Sequence, residues 1–200
     1  MKNLTNIYRP VLILIITVVS STAFAQFKGK MVFDSIDKAH SYYVFYSDLG
    51  YRYEFVEDGQ EGVVLVKNGS ENVIILMPQQ KMAMKSPVGN PMAMANDPLQ
   101  AYKYYKDSGI FKDDGEESIN GILCEKSILY NKDNPSQKMF TVWYSEEYKF
   151  PMKMINHISG SEDFVMEMKD VEAWTSDPSK FEIPSDYQVM DMQSMMPNKQ

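Results

Sequence analysis

The sequence predicts a mainly β domain of the α+β class, in which a large curved antiparallel sheet surrounds one core. Three observations predict it: short runs of β-branched and aromatic residues, turn signals at regular spacing between them, and a single helical pattern in the middle. Hydrophobic residues make up 44% of the 200 residues and aromatic residues 12%, which excludes a disordered chain. We expect about ten strands in one domain over 26–187.

The first half of the chain predicts six strands that follow one another through short turns. The most specific turn signal is Asn68-Gly69, which is typical of a β-hairpin. The expected strands are 27–36, 41–47, 51–57, 62–67, 71–77 and 81–85. Residues 86–96 contain two prolines, a glycine and two asparagines, and they predict a mobile loop.

One helix is expected over 97–108. Asp97 and Pro98 form a typical N-cap and first-turn pair. Leu99 and Tyr102 then follow at three-residue spacing, so they share one helix face. We expect this face to pack against the sheet.

The second half predicts strands again, over 122–130, 138–145, 151–159 and 163–173, before an extended segment at 177–184. Residues 188–200 are polar and rich in methionine, and they predict a flexible tail. The acidic stretch 113–117 lacks the alternating ligand spacing of a calcium loop, so a solvated turn is expected there.

The first 25 residues have the pattern of a secretory signal peptide. Lys2 and Arg9 precede an apolar run at 11–19, and Ala23-Phe24-Ala25 offers a small-x-small cleavage pattern after Ala25. The apolar run is short for a membrane span, so an uncleaved anchor is the less favoured interpretation. We expect a periplasmic or extracellular protein that is not integral to the membrane after cleavage.

Composition and motifs exclude several functions. A net charge of -7 disfavours nucleic-acid binding, and one cysteine with two histidines leaves little for a zinc site. Cys124 is expected to be buried as a small apolar side chain. The sequence has no nucleophile elbow, zinc-protease motif or phosphate-binding loop, so we predict no enzyme, no catalytic residue, no cofactor and no metal, in a monomer.

Methionine is unusually frequent, with 16 residues, and several occur as Met-x-Met pairs. On a strand, residues two apart point to the same face, so each pair places two thioethers on one side of the sheet. Charged neighbours alternate with them, which marks the methionine side as the apolar one. We expect an apolar cavity lined by Met82, Met84, Met152, Met154, Phe164, Met166, Met168, Leu99 and Tyr102.

Three interpretations of this methionine-rich face stay open. It can be a filled sheet core. It can be a cavity for a lipid, an acyl chain or another apolar ligand, since flexible methionine adapts to different shapes. It can also bind Cu(I) or Ag(I) through soft thioethers. His157, the histidine nearest a pair in sequence, lies on the opposite face by alternation.

Five motifs resemble an uncharacterised family of secreted bacterial domains of unknown function. They are Phe-Lys-Gly-Lys-Met at 27–31, Ile-Ile-Leu-Met-Pro-Gln-Gln-Lys-Met-Ala-Met at 74–84, Asn-Gly-Ile-Leu-Cys-Glu-Lys at 120–126, Val-Trp-Tyr-Ser at 142–145 and Phe-Glu-Ile-Pro-Ser-Asp-Tyr at 181–187. That family is similar in fold to the lipoprotein carriers LolA and LolB. The resemblance implies an unclosed half-barrel around one or more helices, with an apolar cavity.

The expected function is therefore an exported, non-catalytic binding protein for an apolar ligand such as a lipid, an acyl chain or a lipoprotein. A periplasmic Cu(I) or Ag(I) protein and a ligand-free structural or envelope-stress protein are the alternatives. LolA-type carriers hold a helical lid through an arginine. Arg52 alternates with Tyr51 and Tyr53, which points it outward, toward water and an acidic partner.

Overall fold

A computed structural model describes residues 26–35, 40–88, 97–158 and 164–192. These residues form one twelve-stranded sheet and one α-helix, α1 (Pro98–Ser108). The strands are β1 (Phe27–Ser35), β2 (His40–Ser47), β3 (Gly50–Glu57), β4 (Gln60–Lys67), β5 (Asn72–Met77), β6 (Met82–Pro87), β7 (Ile110–Ile119), β8 (Ile122–Tyr130), β9 (Lys138–Ser145), β10 (Phe150–Asn156), β11 (Phe164–Ala173) and β12 (Gln188–Asp191).

The sheet joins two antiparallel series of neighbouring strands. Its order is β12-β6-β5-β4-β3-β2-β1-β11-β10-β9-β8-β7, so β1 and β11 meet in the middle. Most of these strands alternate apolar and polar residues, so one face of each can be buried. The predicted fold class is confirmed: the protein is mainly β, with an open curved sheet and one helix. One pairing departs from the expected antiparallel pattern, since β12 runs parallel to β6.

Two segments differ from their sequence-based predictions. The acidic stretch at 113–117 is the middle of β7, an exposed edge strand with a β-bulge between Asp113 and Glu116, where Gly115 has a φ of 86°. The predicted flexible tail begins with strand β12, which pairs with the edge of β6. Both segments bury little apolar surface, because an edge strand is held by backbone hydrogen bonds to one neighbour. Apolar alternation therefore gives no signal there.

Other expectations fall partly or wholly outside the described residues. The predicted signal peptide at 1–25 and most of the predicted loop lie outside them. Ser86 and Pro87, expected in that loop, continue β6. Within the described residues, no helix has the length and hydropathy needed to cross a membrane.

Helix α1 has the predicted ends. The side chain of Asp97 accepts a hydrogen bond from the backbone N–H of Gln100, and the N–H of Gly109 closes the last turn on the carbonyl of Tyr105. Leu99 is 1% exposed and anchors the helix in the core. Among the strands, α1 packs chiefly against β10.

The two faces of the sheet bury separate clusters. The inner face, on which α1 lies, carries the main core. The outer face carries a smaller cluster that includes Leu65 and Leu76. Ile183 and Tyr187 cover it, and both belong to residues 174–187 between β11 and β12, which we call the C-terminal segment. Arg52 points outward as predicted, and its Nε lies 2.6 Å from Oε1 of Glu54. Its side chain is only 15% exposed, because its Nη1 also donates to the carbonyl of Lys180 in that segment.

Candidate functional site

In the described strands, the inner face between β3 and β12 carries one charged residue, Glu57, at the end of β3. Strand register decides this, because cross-strand partners share a face. Tyr53 pairs with Val64, Val64 with Ile75, and Ile75 with Met84. Continued alternation gives this half of the inner face Tyr51, Tyr53, Phe55, Glu57, Gln60, Gly62, Val64, Val66, Val73, Ile75, Met77, Met82, Met84, Ser86, Gln188 and Met190.

Two of the predicted methionine pairs lie in the buried core at the middle of the sheet. Met152, Met154, Met166 and Met168 are 0 to 1% exposed. Met154 faces Met166 across β10 and β11, which confirms that these pairs share one side. With Leu99 they belong to one continuous buried cluster that also contains Met31. These side chains pack against one another beneath α1 and are closed to solvent.

The third pair, Met82 and Met84, lies elsewhere and remains accessible. Met77 is the cross-strand partner of Met82, and Met190 is the partner of Met84. We call these four residues, Met77, Met82, Met84 and Met190, the methionine face. All four are partly buried, and none of them belongs to either buried cluster of the described residues. The sequence pattern places all three pairs in one cavity. In the structure, two pairs lie in the buried core and the third lies on an accessible surface.

Of the two aromatic residues predicted to line the cavity, Tyr102 has a described side chain and Phe164 does not. Tyr102 is partly buried and stacks on Tyr144, with 4.6 Å between ring centroids and 15° between planes. It also meets the edge of Phe111. Phe164 begins β11 opposite Ser35, and its side chain lies outside the described residues.

Four surface clefts formed by the described residues have volumes of about 170 to 440 Å³. The largest is lined by outward-facing residues that include Tyr43, Arg52 and Val56. None of the four is lined by the nine residues predicted to form the cavity. An enclosed apolar cavity at those residues stays a prediction, and the accessible part of the predicted set is Met82 and Met84.

The buried carboxylate of Asp97 lies next to this surface, and the sequence analysis did not predict it as part of a site. Asp97 is 2% exposed and accepts hydrogen bonds from the hydroxyls of Tyr51, at 2.8 Å, and Tyr53, at 3.0 Å. A third hydrogen bond comes from the backbone N–H of Gln100. One signal was present: two tyrosines on an apolar face must each find a hydrogen-bond partner when they are buried.

Burial dominates the electrostatics of this cluster. Loss of solvation raises the pKa of Asp97 from 3.8 to about 6, although its three hydrogen bonds and Lys103 oppose the change. Burial and the neighbouring carboxylate raise the pKa values of Tyr51 and Tyr53 well above 10. The tyrosines therefore stay protonated and act as donors. Asp97 joins the start of α1 to β3, at the border between the core and the open half of the inner face.

Other chemically reactive groups are dispersed or buried. Cys124 is 1% exposed, as predicted, and burial raises the pKa of its thiol to about 11. The Nε2 of His157 lies 2.9 Å from Oγ1 of Thr141 on the outer face. Among the described residues, no group of three or more His, Cys, Asp or Glu side chains is placed to hold a metal ion. A metal site here would need other ligands.

Comparison with protein families connects part of the chain to a known domain. Residues 132–187, from the loop before β9 to the end of the C-terminal segment, match the family described as a domain of unknown function, DUF4412. The predicted resemblance to a domain family of unknown function is thereby confirmed for this part of the chain. No curated protein has a matching sequence.

Several solved structures are similar to this chain at low sequence identity. An uncharacterised conserved protein from Thermus thermophilus is 10% identical, with a TM-score of 0.57 over 85% of this chain and 92% of that one. A LolA superfamily protein, NE2245 from Nitrosomonas europaea, is 10% identical, with a TM-score of 0.45 over 80% and 90%. The lipoprotein LppX from Mycobacterium tuberculosis is 12% identical, with a TM-score of 0.39 over 76% and 89%. The Thermus thermophilus likeness shows the fold alone.

Proposed function

We propose that this protein is an exported, non-catalytic carrier that binds an apolar ligand, such as the acyl chain of a lipid or lipoprotein, on the open half of its inner face. One observation carries the proposal: the described strands from β3 to β12 present an inner surface that is apolar except at its margins, where Glu57 is the one charged residue. The partly buried side chains Val64, Ile75, Met82 and Met84 lie side by side across it.

The dimensions of this surface suit one acyl chain. Strand β6 has six residues, so it extends for about 20 Å at about 3.3 Å per residue. The hydrocarbon core of a bilayer is about 30 Å thick, so the chains of one leaflet span about 15 Å. A chain laid along β6 would lose most of its water contact, and each buried CH₂ contributes about 0.8 kcal/mol to binding.

A rigid framework beside a deformable surface also favours the proposal. The core methionines and Leu99 fix α1 on the middle of the sheet, and the Tyr51–Asp97–Tyr53 cluster fixes its first turn. Each side chain of the methionine face has three rotatable bonds, so this face can adapt to ligands of different shape. This combination favours passive capture over recognition of one ligand.

Titration of mature protein, residues 26–200, with a fluorescent fatty acid tests the proposal. We expect saturable binding that Ile75→Lys weakens at least tenfold, because a charge would stand on the apolar surface. Val56→Lys is the matched control, since Val56 is 69% exposed and lies on the outer face. Thermal melts verify that both variants fold.

Two results would overturn the proposal. One is that folded wild-type protein shows no saturable binding of the fatty acid. The other is that Ile75→Lys and Val56→Lys bind as wild type does, which would place the ligand elsewhere.

A further inference from the structure

We propose that Met77, Met82, Met84 and Met190 form a thioether site for Cu(I) or Ag(I). The inference is independent of apolar-ligand binding, although it uses part of the same surface. It rests on how the sheet brings together four sulfur atoms from three strands that follow one another at the edge of the sheet.

Strand register places the four side chains as neighbours. Met77 and Met82 are antiparallel partners, and Met84 and Met190 are parallel partners, so each pair has Cβ atoms about 5 Å apart. Met82 and Met84 are two residues apart on one strand, a separation of about 7 Å on the same face. Because methionine is long and unbranched, the thioethers of Met82 and Met84 and that of one cross-strand partner, Met77 or Met190, can turn toward one point above β6.

The chemistry of this set selects a soft monovalent ion. Thioethers are neutral and polarizable, and among biological metals they favour Cu(I). They need no deprotonation, and they form no disulfides in an oxidising compartment. A cysteine thiolate is the soft ligand that would usually compete with thioethers for Cu(I). It is not accessible here, because Cys124 is the one cysteine of the chain, is 1% exposed, and has a thiol pKa that burial raises to about 11.

The electrostatics of the surface also permit a cation. No lysine or arginine shares the inner face with the four methionines in the described parts of β5, β6 and β12. The two lysines that flank the pair in sequence, Lys81 and Lys85, belong to the alternate positions, and Lys81 forms an ion pair with Asp186 at 2.8 Å. An incoming cation therefore meets no like charge on this face.

Burial excludes the other methionine pairs of the described strands as metal sites. Met152, Met154, Met166 and Met168 are 0 to 1% exposed in the packed core, so a metal ion would have to displace core side chains to reach them. Among the three pairs that the described strands carry, only Met82 and Met84 combine the spacing with access from solvent.

Anaerobic titration with Cu(I) against a chromophoric Cu(I) chelator, followed by X-ray absorption at the copper edge, tests the site. We expect one Cu(I) per mature chain with three sulfur neighbours. A Met82→Leu/Met84→Leu variant should bind at least a hundredfold more weakly, because leucine keeps the apolar volume and removes the sulfur. Met139→Leu is the matched control, a partly buried methionine on β9 that should bind as wild type.

Cu(I) binding by wild-type protein separates the two proposals, because it is measured without any lipid. Loss of Cu(I) binding in a Met82→Leu/Met84→Leu variant that melts as wild type does assigns the metal to the thioethers. Absence of stoichiometric Cu(I) binding by wild-type protein would overturn the metal site and leave the apolar site standing. Copper bound through nitrogen or oxygen, or unchanged binding in the leucine variant, would also overturn it.

Discussion

The hydroxyl of Tyr51 donates a hydrogen bond to Asp97 across 2.8 Å, between residues 46 positions apart in the chain. This bond ties the first turn of α1 to β3, and Tyr53 repeats it on the other carboxylate oxygen. The helix is thus held at its N-terminus by a polar anchor and along its length by apolar packing at Leu99. The first two predictions follow from this arrangement.

Replacing Asp97 with alanine should lower the free energy of unfolding by about 3 kcal/mol or more. Loss of an N-cap costs about 1 kcal/mol, and each buried tyrosine hydroxyl left without a partner costs about 1–3 kcal/mol. Urea unfolding measures the change. Asp107→Ala, on the exposed side of the same helix, is the control and should change stability by less than about 0.5 kcal/mol. Equal effects of the two substitutions would contradict the anchoring role of Asp97.

The stability contributed by Asp97 should rise as the pH falls. Its pKa is about 6 in the folded protein against 3.8 for the ordinary carboxyl group, so between these values the folded protein binds more protons than the unfolded chain. The free energy of unfolding therefore increases as pH falls through 6, and the gain is complete below about 4. At 1.36 kcal/mol per pKa unit it amounts to about 3 kcal/mol.

Asp97→Asn isolates this effect, because asparagine can cap the helix and does not titrate. Wild type should gain stability relative to Asp97→Asn between pH 7 and pH 5, as measured by thermal melts across that range. A constant difference between the two proteins would show that Asp97 does not titrate there.

The two populations of methionine should respond differently to truncation. Met166→Ala removes a fully buried side chain from the core, and we expect a loss of about 2–5 kcal/mol. Met84→Ala removes a partly buried side chain from the methionine face, and we expect a loss below about 1 kcal/mol. Chemical unfolding of both variants makes the comparison. Similar losses would mean that the methionine face is packed as tightly as the core.

Gly50 should tolerate no side chain. It begins β3 with a φ of 140°, and a Cβ atom there would lie 2.1 Å from the carbonyl oxygen of Val66. Because the obstacle is backbone, Gly50→Ala should cost more than about 3 kcal/mol or prevent folding. Gly69→Ala is the control, with a φ of 76° and no atom within 4 Å of the added Cβ. It should cost about 1–2 kcal/mol, measured by the same unfolding curves.

Sequence reasoning predicted the regular interior of the sheet closely. Strands β8 and β9 have the predicted bounds, because each alternates apolar and polar residues between clear turn signals. The N-cap of α1 was predicted as well, since Asp-Pro before an apolar helical pattern is a local signal. Edge strands β7 and β12 were missed because backbone pairing holds them with little apolar burial.

The candidate site could be predicted only in part. Alternation identifies which side of a strand a methionine is on, and it placed Met154 and Met166 correctly on one face. Alternation does not show how much of that face is buried by other parts of the protein. This depends on the position of α1 and on the order of the strands. The grouping of Met77 and Met190 with Met82 and Met84 depends on register across three strands, including one parallel pairing. No local pattern predicts such a pairing.

The junction of β1 and β11 in the middle of the sheet has a consequence for how the chain folds. Strand β1 ends at Ser35 and its partner begins at Phe164, so pairing them closes a loop of about 130 residues. Strands β1 to β6 each pair with the next strand in the chain, and these local pairings can form before that closure. Until β11 arrives, one edge of β1 is unpaired, and it exposes an incompletely folded chain to pairing with another copy.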